Sequence, residues 1–344
     1  LPIITNPINE DSDYDGICDG SDSYPLSNSF KGQLENDIGT YEVDFNVDYS
    51  VFFSSSEQYN KKLAILGSIY ALLAYKGPTI NLESYIDTKY SDLAMLFEKF
   101  GLDEVKDINL ANEFHDDDIS EMIIGHREVT FNDIQKDIIV VSVRGTDSTV
   151  EEWSSNFDVG ADTSAYWDRN NSYWRNKLNH KGFDVAANRL YDRIINYIDE
   201  YVNSNRQKTI YIVGHSRGAA IANILGSLFG NDDSIETFVY TFATPNTTTA
   251  DKDVRQSYKS IFNIVNKDDL VTYLPLDKWS FNKYGRTYSA SITKCYENKF
   301  LNREWYTWEY LFDKDYNYNE NLSNTLKALR KIANNRNELY DYTN

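Results

Sequence analysis

The run Ile212-Val213-Gly214-His215-Ser216-Arg217-Gly218 constrains the fold more than any other stretch of this chain. It is a G-x-S-x-G sequence. The apolar residues before it predict a buried strand over 209–213, and those after it predict a helix over Arg217–Phe229. A turn this tight holds Ser216 in a strained conformation. Glycines two before and two after it let the strand and helix backbones approach closely. The serine Oγ is then exposed at the carboxyl edge of a sheet, and the Arg217 N–H at the helix start points to where an oxyanion would develop. Ser216 is therefore a candidate nucleophile.

Patterning around this turn predicts alternating strands and helices. A helix is expected over 56–75, with Leu63, Ile65, Leu66, Ile69, Leu72 and Leu73 on its apolar face, and a shorter one over 91–100, stopped by Gly101. Residues 121–129 and 137–143 read as adjacent strands. The second contains Ile138-Ile139-Val140-Val141, a run that suits a strand buried on both faces. An amphipathic helix over 183–202 precedes the Ser216 turn, and strands over 237–242 and Ile261–Val265 follow it. Such alternation predicts an α/β fold, with a mostly parallel central sheet and helices on both faces. With 41% hydrophobic residues the chain can build a core, which excludes disorder of the low-hydrophobicity type. The net charge of −19 argues against nucleic-acid backbone or anionic lipid as an electrostatic partner. No run of 18 apolar residues exists to form a transmembrane helix.

Four blocks together resemble the class 3 lipases, an α/β-hydrolase family. They are Val143-Arg144-Gly145-Thr146, His180-Lys181-Gly182-Phe183, the Ser216 turn, and the run from Asn266 through Asp268, Asp269 and Leu270 to Pro275. Their order and spacing agree with the family over roughly residues 55–290. The resemblance implies a serine ester hydrolase acting on lipid esters through an acyl-enzyme on Ser216, with Asp269 as the orienting carboxylate. Thr146 and Arg217 would supply oxyanion contacts, and Arg144 a structural ion pair. It also implies a lid after Thr146, carrying Val150, Trp153 and Phe157; an ordinary surface loop is the alternative. No cofactor is needed for this chemistry. Thr272 stands where the family often has proline.

A serine nucleophile needs a general base, and the family places a histidine after the aspartate. The four histidines here, His115, His126, His180 and His215, all precede Asp269. Three explanations are open: the histidine lies beyond Asn344, the protein is an inactive lipase-like module that binds lipid or a protein, or another residue is the base. The first agrees with a chain that begins Leu1-Pro2-Ile3 without Met, and predicts a segment of a longer polypeptide with further domains. The helical pattern over 322–338 would then precede the missing loop.

Residues 1–30 differ from the rest and are expected to form an irregular segment ahead of the hydrolase domain at 31–344. Asp11, Asp13, Asp15, Asp19 and Asp22 occupy positions 1, 3, 5, 9 and 12 of a loop with Gly16 at position 6. The Ile17 carbonyl falls at position 7, an oxygen set suited to Ca²⁺. The segment resembles a thrombospondin type 3 repeat, which implies structural calcium and a secreted protein; a solvated acidic linker is the other reading. Cys18 and Cys295 are either one disulfide or two free thiols.

Overall fold

The computed structural model describes residues 29–36, 39–75, 79–82, 97–98, 100–110, 120–131, 134–145, 172–203, 205–266, 269–275, 277 and 280–289. All belong to one of the two compact units into which the chain divides, 1–159 with 168–289. The acidic window at 11–22, both cysteines, His115, the expected lid and the 322–338 pattern lie outside the described residues.

Among the described residues, a small antiparallel sheet is built from β1 (Ser29–Asn36), β2 (Gly39–Asn46) and β3 (Thr79–Leu82), in the order β2-β1-β3. Helix α1 (Lys61–Leu73) begins at Asn60, whose side chain accepts the N–H groups of Lys62 and Leu63. That cap satisfies donors left over at the helix start and explains why the helix begins later than its apolar pattern suggests.

The main sheet follows. It contains β4 (Asp103–Asn109), β5 (Glu121–Phe131), β6 (Ile134–Val143), β7 (Gln207–His215), β8 (Ile235–Phe242), β9 (Ile261–Val265) and β10 (Arg286–Ser289). Their order is β10-β9-β8-β7-β6-β5-β4. From β6 to β10 every pairing is parallel, while β4–β5 and β5–β6 are antiparallel. The described residues also include α2 (Lys181–Tyr201), α3 (Arg217–Phe229), the short α4 (Lys252–Ser257) and a 3₁₀ helix at Tyr49–Phe53. The expected mostly parallel sheet with helices on both faces is what the chain forms.

The continuous apolar runs do what two-sided burial requires, because successive strand residues point to opposite faces. Val140, Tyr211, Val213 and Tyr240 join the core beneath α1, with Leu63, Leu66 and Tyr70. Ile139, Val141, Ile210 and Ile212 join the core beneath α2 and α3, with Leu190, Ile221 and Leu225. One expected core residue departs from this pattern: Ile65 is 39% exposed, because α1 turns it away from the sheet. Five strands that periodicity did not predict, β1 to β4 and β10, are polar or short, and they are fixed by pairing with neighbours.

Candidate active site

The carboxyl ends of β6, β7, β8 and β9 lie along one edge of the sheet, where parallel α/β sheets open a crevice. At the end of β7 the chain turns directly into α3. Ser216 has φ 55° and ψ −124°, a conformation that costs a non-glycine residue energy. Its N–H donates to the Phe242 carbonyl at the end of β8 (2.9 Å). The turn is steric in origin. A Cβ on Gly214 would lie 2.4 Å from the Gly218 carbonyl oxygen, and one on Gly218 would lie 2.3 Å from the Val143 carbonyl oxygen. Only glycine leaves room for β6, β7 and α3 to meet there. The N-terminus of α3, starting with Arg217, lies at the same edge, where the helix dipole favours negative charge. The Arg217 side chain is buried and its Nη1 donates to Ser120 Oγ (2.9 Å).

At the end of β6, Arg144 forms the ion pair expected of it, with Glu121 (3.0 Å). Gly145 packs under the His215 carbonyl and the Tyr75 hydroxyl, leaving no room for a side chain. Thr146 and the residues up to 171 lie outside the described residues.

Asp269 follows β9 by four residues and caps the 3₁₀ turn Leu270–Tyr273, accepting the Val271 N–H at 2.9 Å. Burial pushes its carboxyl up to about 6, opposed by the Val271 hydrogen bond and by the charge of Lys283. Lys283 is buried in turn and pulled down to about 8 for that reason, with Asp277 and Asp269 acting to keep it charged. Its neighbour in the sequence of contacts is Asn246, which accepts from Lys283 Nζ (2.7 Å) and donates to the Pro275 carbonyl (2.8 Å). Asp268 lies outside the described residues.

The described histidines are engaged elsewhere. His215 Nδ1 pairs with the Tyr75 hydroxyl (2.7 Å), and burial drops its pKa to about 4, so the ring is neutral near pH 7. His180 caps α2, accepting the Phe183 N–H and stacking on that ring. His126 pairs with the Tyr197 hydroxyl (3.0 Å). Neither Ser216 nor Asp269 has a histidine partner among the described residues.

The local sequence pattern points to Ser216 and Arg217, and the family resemblance to Arg144 and Asp269; the fold sets all four at one sheet edge. Neither revealed Lys283, Asn246 or Tyr75. Lys283 sits in an aromatic stretch where nothing marks it as buried, and Tyr75 reads only as the last turn of a helix.

Residues 140–279 match the family Lipase (class 3). No curated protein matches the chain. Among solved structures, Aspergillus oryzae mono- and diacylglycerol lipase is 23% identical with a TM-score of 0.35, over 50% of this chain and 65% of its own. Rhizomucor miehei triacylglyceride lipase is 20% identical with a TM-score of 0.33, over 50% of this chain and 62% of its own. A fungal lipase–inhibitor complex is 18% identical with a TM-score of 0.35, over 49% of this chain and 61% of its own. The chain thus spans less than two thirds of each of these three structures, and at such TM-scores the likeness adds nothing to the family match.

Proposed function

We propose, from the match of residues 140–279 to the class 3 lipases, that the protein is a serine ester hydrolase whose substrates are carboxylic esters of lipids. The observation that carries this reading is the backbone of Ser216, strained at φ 55° between β7 and α3. Such strain is costly for a non-glycine residue, and here it sets a hydroxyl at the start of a helix.

In this reading Ser216 Oγ attacks the ester carbonyl carbon. Its proton passes to a base, the carbonyl oxygen takes the negative charge, and the alcohol leaves after protonation. Water then releases the acid from the acyl-serine. The Arg217 N–H and Thr146 stabilise the oxyanion, and Asp269 orients the base.

The test is hydrolysis of p-nitrophenyl esters of graded acyl length by this chain and by any longer natural form. Ser216→Ala should reduce turnover to background. Asp269→Asn should lower kcat by on the order of 10³–10⁴-fold. Turnover equal in the parent and in Ser216→Ala would sink the hydrolase reading. It would favour a lipid- or protein-binding module instead, for which the engagement of His126, His180 and His215 away from Ser216 speaks.

The donor set Asp11, Asp13, Asp15, Asp19 and Asp22 with the Ile17 carbonyl is chemically suited to a hard cation, and we propose structural Ca²⁺ there in a secreted protein. Calorimetric titration should show calcium binding that Asp13→Ala and Asp15→Ala abolish. No heat in the parent chain would discard it.

A further inference from the structure

Three residues ahead of β10 hydrogen-bond in three directions. The Asn282 carbonyl accepts the N–H groups of Thr247 (2.7 Å) and Thr248 (2.9 Å), in the loop after β8. The Tyr284 N–H donates to Asn223 Oδ1 on α3 (3.2 Å), and its carbonyl accepts from Asn223 Nδ2 (2.9 Å) and Asn263 Nδ2 (2.8 Å). Between them Lys283, only 7% exposed, reaches into the turn that Asp269 caps. Its Nζ donates to the Thr272 carbonyl (2.6 Å) and to Asn246 Oδ1 (2.7 Å). Thr272 closes back on Asp269, whose carbonyl accepts its Oγ1–H at 2.8 Å. Asn246 extends the brace, donating to the Pro275 carbonyl (2.8 Å) and Asp277 Oδ1 (2.9 Å).

Burying an ammonium is costly, and an apolar side chain of similar length would fill this space without that cost. Both direct acceptors of Lys283 are neutral. An ammonium that packing does not call for, tied to the turn of a buried carboxyl, has a use only if its tether or its charge matters to that carboxyl.

We propose that Lys283 is a positioning residue for Asp269, tethering the turn that Asp269 caps and setting a cation near its buried carboxyl. This rests on the reading of Asp269 as the orienting carboxylate. The charged groups facing Lys283 are Asp277 and Asp269, which favour its charge, and Arg255 on α4, which opposes it. Lys283 is not itself placed as a base, since two of its protons are committed to Thr272 and Asn246.

The experiment uses the full chain and reads Asp269 without turnover. Its carboxyl is titrated by carbon-detected NMR with labelled aspartate, the signal being assigned by Asp269→Asn. Amide hydrogen exchange over 269–275 is measured in parallel. In Lys283→Met the carboxyl should bind its proton about tenfold more tightly, because a nearby cation that favoured the carboxylate is gone. Exchange over 269–275 should quicken about tenfold while β7 is unchanged. Lys283→Gln, which keeps a donor without the charge, should shift the titration similarly with less effect on exchange, and it carries the test if Lys283→Met does not fold. Lys283→Arg should restore the titration. Where turnover is measurable, the acid limb of kcat/KM should move to higher pH in both neutral variants, with KM little altered. A titration and exchange in Lys283→Gln that match the parent overturn the assignment. Equal turnover in the parent and Ser216→Ala overturns only the hydrolase reading, because neither NMR nor exchange depends on it.

Discussion

The two arms of the candidate site are held in place by opposite means. The Ser216 turn is fixed by backbones in contact: β6, β7 and α3 come so close that Gly214 and Gly218 have no space for a methyl group. The Asp269 turn is fixed by side chains. Lys283 and Asn246 reach across from other parts of the chain to hold carbonyls that the short 3₁₀ turn leaves over. A steric arm tolerates no added atom, yet it has little charge to lose. A hydrogen-bonded arm tolerates changes of size, but it responds to deletion.

The difference can be broken from the steric side first. Gly218→Ala would put a Cβ 2.3 Å from the Val143 carbonyl oxygen and 2.6 Å from that of Arg144. In an open helix the same change would gain about 1 kcal/mol. Here we expect a loss of about 4 kcal/mol or more, since neither partner is a flexible side chain that could give way. Urea unfolding measures it, and a variant as stable as the parent would show that the turn can relax. On the other arm, Asn246→Ala removes an acceptor from a buried ammonium and a donor from two oxygens. We expect a smaller loss, about 2 kcal/mol, with faster amide exchange confined to 269–275. Equal damage to the exchange of β7 would mean that the two arms are not separable.

Their legibility in the sequence follows the same division. The Ser216 turn could be read because its causes are local: apolar runs on either side and glycines at fixed offsets. The helix Arg217–Phe229 and the strand Ile261–Val265 were expected at the bounds they adopt. Asp269 was noticed through a resemblance, and nothing in its own neighbourhood announced Lys283. The partners of Lys283 lie 11 and 37 residues away, so its burial is a product of the fold. Strand β4, Asp-Glu-Val-Lys-Asp-Ile-Asn, is similar: its sequence is polar, and it becomes a strand through its register with β5. Ile65 errs in the other direction, an apolar residue in the right period that α1 leaves facing outward.

The effect that is smallest per step sharpens the comparison most, because the two arms respond to pH with opposite sign. His215, on the steric arm, is buried as the neutral ring, its pKa dropping from 6.5 to about 4. Between those values the unfolded chain binds more protons than the fold, so stability from His215 rises with pH and is lost as pH falls toward 4. Asp269, on the other arm, is raised from 3.8 to about 6. There the fold binds more protons than the unfolded chain, and stability from Asp269 is lost as pH rises from 3.8 toward 6. From pH 4 to 6 these slopes, each of order 1 kcal/mol per pH unit, oppose and largely cancel. Asp269→Asn removes one of them. Relative to the parent, the stability of this variant should climb with pH across that window by about 1 kcal/mol per pH unit, read from urea midpoints at constant salt. A difference that stays flat would show that the carboxyl is ionised through the whole range, and so is not buried in the way its turn implies.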